Sequence, residues 1–318
     1  MGKYIVKRVL LLIPTTFLVC VIVFAMLRMI PGSAVDAMLY RYQSMGNTDA
    51  TIEEVEAIMG MDKPAVQQFF SWLGHAVTGD LGDSLFQNET VSHCITRQIG
   101  PSLELGVITL IITLIIAIPL GVFCAAKQDS VADYIIRMGA LILQSLPVFW
   151  IATVVLVYPA KWWGWAPTTN YYSFFKDPMQ NISIMIVPSI LGAVTNAGMQ
   201  LRYVRTVTLD TMRMDYIRTA RSKGVKGRKI LFRHALRNAM IPVVTLVGGA
   251  VGMLVGGSVI MESLFSIPGI GNQMVVALSN RDYPIVQGCV LVFSLFTMIV
   301  NMIVDISYKC LDPRITLD

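Results

Sequence analysis

Residues 215–238 read DYIRTARSKGVKGRKILFRHALRN and hold eight Lys or Arg against a single acid, Asp215. Such a stretch can make charge-assisted contacts with an acidic protein surface, with anionic lipid or with nucleic-acid phosphate. No aromatic platform accompanies it, so nucleic acid is the poorest of the three. A second group with chemical potential is Gln144, Asn196, Gln200 and Glu262, which lie within or at the end of long apolar runs. A polar side chain is costly there and marks a hydrogen-bonding role between helices or the lining of a pathway. Enzyme chemistry finds little to work with. No glycine loop ends in Gly-Lys-Ser/Thr, so nucleotide is expected on other subunits. His75, His93 and His234 are scattered, and the five cysteines show no paired spacing. Neither a metal site nor a disulfide framework is expected, and no cofactor on this chain.

The elements that must position these residues are membrane helices. The chain is 55% hydrophobic and only 14% charged, where a soluble domain carries roughly a quarter charged residues. Six runs are long and apolar enough to cross a bilayer: 9–30, 103–124, 138–158, 182–201, 241–261 and 286–306. Pro188, Asn196 and Gln200 interrupt the fourth, the weakest of them. The first follows Lys7 and Arg8 but lacks the small-residue cleavage site of a signal peptide, so it reads as a retained span. With six spans and both termini cytoplasmic, 18 of the 25 Lys and Arg fall on the inner side, as the positive-inside rule requires. Losing the fourth span would turn the most basic loop outward. The fold class is therefore an all-α membrane protein of six transmembrane helices, with a small helical external domain between spans one and two. The expected divisions are 1–30, 31–102 and 103–318, with a cytoplasmic loop at 202–240.

The external segment carries nine acids against Arg41, Lys63 and Arg97 between positions 31 and 100. Thr51 and Glu54 have capping-box spacing before an apolar-polar run that stops at Gly60. Pro64 suits a helix start, and Val66, Phe69, Phe70, Leu73 and Val77 follow at helical spacing on one face. Two short amphipathic helices on the outer membrane surface are expected. In the basic stretch, Asp215 is placed to cap a short helix, with Arg221 and Lys223 in its last turn and Gly224 ending it. A second helix from Gly227 to Asn238 carries Ile230, Leu231, Ala235 and Leu236 on one side and runs into span five near Pro242. Within that span Gly248, Gly252 and Gly256 recur every four residues, a spacing that lets helices approach closely. The face they form is either an internal seam or an interface with a partner. Near the inner end of span six, Lys309 lies one turn after Asp305 and an ion pair accounts for both.

At this point the residues match a family. TARSKG followed by HALRNAMIP resembles the cytoplasmic coupling loop of permease subunits in bacterial ABC importers of the peptide/nickel branch. The broad family pattern is Glu-Ala-Ala, three residues, then Gly. Ala220 and Gly224 match it, Arg218 and Thr219 replace the first two positions, and Pro242 lies about five residues beyond its usual place. The first span, MGMDKPAVQQFFSWLGHAVTGDLGDSL, SLPVFWI, MESLFSIPGIGNQMVVALSNRDYPIVQG and LDPRI are similar to the family in the same order, and Glu262 falls on its motif glutamate. The resemblance implies half of a translocation pathway in the bacterial cytoplasmic membrane. It implies a second homologous permease, two cytoplasmic ATPases that hold ATP and Mg, and an external binding protein that delivers substrate. Peptides are the expected cargo, with nickel or another small solute as the alternative in the branch. A self-sufficient channel or secondary transporter is the rival from another class, but it needs charged coupling sites deep in the spans, and the deep spans hold none. On this reading Asp215, Arg218, Thr219, Ala220, Arg221, Lys223, Gly224, His234 and Arg237 contact an ATPase. Gln144, Asn196, Gln200, Gly248, Gly252, Gly256 and Glu262 line the pathway or a helix interface.

Overall fold

A computed structural model of the chain describes residues 2–29, 34–44, 51–58, 62–87, 89–168, 170–251 and 259–311. These residues are overwhelmingly helical, and among them no strand forms beyond one isolated bridge between Asp83 and Thr90. Five helices are long and apolar enough to span a membrane, or six if a bent pair counts as one span. The chain divides into two compact units, one built on Met1–Gly100 with Pro268–Ile299 and the other on Pro101–Ile267 with Val300–Leu317, so that the last helix is shared between them.

In the first unit, α1 (Gly2–Met29) is the first span. It is followed by α2 (Ala34–Ser44), α3 (Ile52–Ile58) and α4 (Ala65–Val77). The capping box forms as its spacing implies: the Glu54 N–H donates to Thr51 Oγ1 at 3.3 Å and the Thr51 N–H to Glu54 Oε2 at 3.2 Å. Gly60 lies outside the described residues. The stripe on α4 is not one buried face. Phe69 alone is buried, its ring set edge-on between Phe17 at 5.8 Å and Phe24 at 5.2 Å on α1. Val66, Phe70 and Val77 are 68%, 59% and 81% exposed. One bulky ring fills the space beside α1, and the remaining apolar positions rotate away from it.

The rest of this unit is tied by buried polar groups. The Asp282 carboxylate accepts the Ser84 hydroxyl and the Leu85 N–H, and the Gln98 side-chain amide donates to Gln273 at 2.9 Å. Gln273 belongs to α13 (Ile270–Asn280), and the last helix is α14 (Tyr283–Leu311). Gly288 on α14 has no room for a side chain, because a Cβ there would lie 2.5 Å from Val91 Cγ1.

The second unit contains most of α5 (Val91–Ala126), then α6 (Val131–Ser145), α7 (Val148–Trp163) and α8 (Pro178–Met212). The expected span at 138–158 is not one rod: α6 and α7 meet at 89°. Pro147 cannot donate a hydrogen bond and clashes with a helical predecessor, so Leu146 is extended at φ −81°, ψ 131° and the chain turns. The weakest expected span, by contrast, lies within a single helix of 35 residues that runs through Pro188. Asp177 starts it, accepting the Gln180 N–H at 3.1 Å. Glycines let α8 approach its neighbours. A Cβ on Gly121 of α5 would stand 2.8 Å from the Leu201 carbonyl, and one on Gly198 would stand 2.8 Å from the Ala140 carbonyl of α6. Both clashes are with backbone, which cannot swing aside. Leu105, Ala152, Ile184, Met185 and Phe265 form the largest core of this unit.

Candidate functional site

The basic stretch folds as a helical hairpin. α9 (Asp215–Ser222) follows α8 after a two-residue link, Arg213 and Met214. Asp215 does not cap it: Met214 is the N-cap residue and no side chain closes the first turn. Its carboxylate sits one position inside, where it complements the helix dipole and accepts an exposed contact from Arg218 at 3.4 Å, a pair of little energetic weight. The C-terminus is closed by backbone. The Val225 N–H donates to Ala220 O at 3.2 Å and the Gly224 N–H to Arg221 O at 2.9 Å, with Gly224 at φ +75°. This is the six-to-one, five-to-two pattern that requires a left-handed residue after the last turn. Ala220 and Val225, the apolar pair that accompanies it, pack against buried Ile217, Ile230 and Ala235. Ala220 is therefore small because it faces the hairpin's own second arm.

That arm is α10 (Gly227–Lys229), a π turn over Ile230–Ala235 and α11 (Leu236–Val251), joined without a break. In a π turn residues five apart come close to one face, which brings Ala235 beside Ile230 in the same buried cluster. The Tyr216 hydroxyl bridges the arms, accepting the Asn238 amide at 2.8 Å and reaching the His234 carbonyl at 3.4 Å. His234 is half-buried, and Arg218, Thr219, Arg221, Lys223 and Arg237 are exposed. Met214, Tyr216 and Phe232 are exposed beside them. The surface is thus a rigid two-armed knob with cations around three apolar contact points.

Three of the polar span residues converge. Gln144, Asn196 and Gln200 line one pocket of about 580 Å³ together with Thr109, Thr113 and Thr195. Among the described residues its polar lining carries amides and hydroxyls and no charged side chain. Asn196 donates to the Gly192 carbonyl at 2.7 Å, Gln144 accepts from Arg202 at 2.6 Å, and Gln200 Oε1 has no partner among the described residues. Pro147 and Val148 at the α6–α7 bend complete part of the wall. Glu262 lies elsewhere, fully buried on α12 (Val259–Leu264), and accepts the Ser102 hydroxyl at 2.8 Å. It serves helix packing and not the pocket lining. Gly248 is half-buried on α11, while Gly252 and Gly256 lie outside the described residues, as do the side chains of Asp305 and Lys309.

Sequence reasoning missed one polar centre altogether. Asp133 is fully buried at the start of α6 and accepts both Nε of Arg205 at 3.0 Å and Nη2 at 2.7 Å. Arg137 forms an ion pair with it at 3.0 Å, and the Asp129 N–H is a third hydrogen-bond donor at 3.1 Å. Ser130 caps α6 by accepting the Asp133 N–H, a spacing readable in the sequence; Arg205, 72 positions away, is not. Tyr171 was likewise unmarked. Its hydroxyl donates to Glu104 at 2.8 Å, and burial, reinforced by that carboxylate, raises its pKa well above the ordinary tyrosine value.

Known proteins resemble the chain from end to end. Residues 117–317 match the family described as the binding-protein-dependent transport system inner membrane component, and residues 1–105 match its N-terminal family. A Brucella ovis protein that bears a peptide permease name is 36% identical over 322 residues, covering 99% of both chains. The oligopeptide transport system permease protein AppB of Bacillus subtilis and the di/tripeptide transport system permease protein DppB of Pseudomonas aeruginosa are each 33% identical, again over 99% of both chains. Apolar spans, an exposed basic hairpin and a mostly apolar pocket with amides and hydroxyls in its wall are what a component that lets a delivered solute through a membrane needs. The chain belongs to the family of inner membrane components of binding-protein-dependent transport systems, as a multi-pass protein of the inner membrane.

Proposed function

We propose that the chain is one permease half of a peptide importer of the ABC class. It pairs with a second homologous permease, receives peptide from an external binding protein and is driven by two ATPases that hold the ATP and Mg. The observation that carries this reading is a property of one helix. α8 bears Asn196 and Gln200 in the pocket wall and ends at Met212, with two residues linking it to α9. From Gln200 to Met212 is about 18 Å of continuous helix, so a push on the hairpin is delivered to the pocket by a stiff rod. ATPase closure would act on the exposed Arg218, Thr219, Arg221, Lys223 and Arg237 and on the apolar points among them.

Cargo follows from the lining. Amides and hydroxyls can exchange hydrogen bonds with a peptide backbone, a group that every peptide carries whatever its side chains. Full-length similarity to permeases named for peptides and oligopeptides supports the same cargo over nickel. Family membership also weighs against a self-sufficient channel or secondary transporter.

Affinity purification of the tagged chain from its native cell in mild detergent tests the assembly. Two ATPases and a second six-span permease are expected among the proteins identified by mass spectrometry. Recovery of the chain alone under several gentle conditions would overturn the reading.

A further inference from the structure

We infer that the first unit holds the phosphate of an outer-leaflet phospholipid, in a pocket of about 370 Å³ lined by Arg28, Lys63, Trp72, His75, Asp80 and Tyr283. The inference goes beyond the proposed function and takes from it only which leaflet is the outer one.

Depth is the first argument. Phe69 on α4 touches both Phe17 and Phe24 of the first span. Phe17 lies about 18 Å of helix and Phe24 about 7 Å below Met29, at 1.5 Å per residue. α4 therefore flanks the span at acyl-chain depth and does not lie wholly above it. Its sequence, AVQQFFSWLGHAV, contains no Asp, Glu, Lys or Arg. Val66, Phe70 and Val77, four and seven residues apart, share an uncovered apolar face. That pattern belongs to an interfacial helix whose open side meets lipid tails.

Charge is the second argument. The pocket is bounded by the ends of two spans, Arg28 in the last turn of α1 and Tyr283 at the first residue of α14. Both lie at headgroup level, where a tyrosine ring is at home. Arg28 is held in place, its guanidinium 3.6 Å from the centroid of the Phe24 ring and donating to the Gln68 side-chain oxygen. Gln68 in turn donates to the Lys63 carbonyl at 2.6 Å. Among the described residues neither Arg28 nor Lys63 has a carboxylate partner. The pocket's acid, Asp80, already accepts the Gly82 N–H at 2.9 Å. His75 has its Nδ1 2.8 Å from the Ser71 carbonyl, which directs Nε2 elsewhere. One held cation, Arg28, and the exposed Lys63 ammonium on the same pocket, against one engaged carboxylate and beside an apolar strip at tail depth, suit a phosphodiester with acyl chains attached.

The test is native mass spectrometry of the full-length chain purified in mild detergent with added phosphatidylglycerol. One lipid per chain is expected to survive activation that strips the micelle. The Arg28→Gln, Lys63→Gln double variant should lower that retention at least about tenfold, since each cation near the surface contributes to anionic-lipid affinity. Lys176→Gln, an exposed cation of the other unit, should leave it unchanged. Phe70→Asp, which keeps both cations, should lower it through the tails. Equal retention in wild type and double variant overturns the inference. Retention of inorganic phosphate in place of lipid would reassign the pocket to a free anion and overturn the lipid. Loss of the lipid when the second permease co-purifies would give α4 to that subunit instead. The readout is lipid mass, so a failure here is distinct from a failure to recover the ATPases.

Discussion

Gly224 carries a positive φ that glycine adopts without penalty, and no atom stands within 4 Å of where its Cβ would be. Conformation alone therefore decides what the site tolerates. Valine in the left-handed region costs about 1–3 kcal/mol, and the six-to-one turn that closes α9 would open. Gly224→Val is expected to reach the membrane at wild-type levels while peptide uptake falls steeply, and Gly224→Asn, which enters this region more easily, should retain most uptake. Wild-type uptake by the valine variant would remove the hairpin from the coupling role. The sequence marked Gly224 through local spacing, because a helix end is a local event. It placed Asp215 one position wrong for the same reason in reverse: cap and first turn differ by one residue, and the backbone path from α8 decides between them. Ala220 was legible as a small residue that permits close approach, but what approaches it is Val225 and the second arm.

Helices show the next limit. Periodicity predicts the spans because each needs about 20 apolar residues in a row. It does not reveal that Pro147 turns the third by 89°, since Pro188 and Pro119 sit inside unbroken helices. Neighbours decide which prolines break a rod. The same holds for α4, where five apolar positions at helical spacing look like one face until Phe69 is claimed by α1. Close crossings give the sharpest expectation at this scale. A side chain at Gly198 would meet the Ala140 backbone at 2.8 Å, whereas one at Gly74, near the C-terminal end of α4, would meet nothing within 4 Å. Gly198→Val should destabilise the purified protein by about 1–3 kcal/mol or more, while Gly74→Ala should raise stability by about 0.5–1 kcal/mol through helix propensity. Thermal unfolding in detergent reads both, and a neutral Gly198→Val would mean that α6 and α8 are not so tightly apposed.

For the whole molecule, the charge distribution yields an orientation that can be read directly. In a Cys310→Ser background the remaining described cysteines are buried, so a new thiol at an exposed lysine reports its own side. Lys63→Cys should react with a membrane-impermeant maleimide in intact spheroplasts, and Lys226→Cys only after permeabilisation. The reverse pattern would invert the topology and with it the coupling role of the hairpin. Fold class and family were legible in the sequence because hydropathy, the charge bias of the loops and the order of six short motifs are properties of the chain read in line. Capping at Thr51 and the two arms of the hairpin were legible too, each set by residues within a few positions of one another. Tertiary structure alone decided which distant residues meet. It brought Gln144 of α6 to Asn196 and Gln200 of α8 around one pocket, joined Asp133 to Arg205, and sent Glu262 into a packed seam with Ser102. The physical reason is that a buried amide or carboxylate must find a partner, and its partner lies wherever helix crossing brings a donor within about 3 Å, at a sequence separation that no local pattern records.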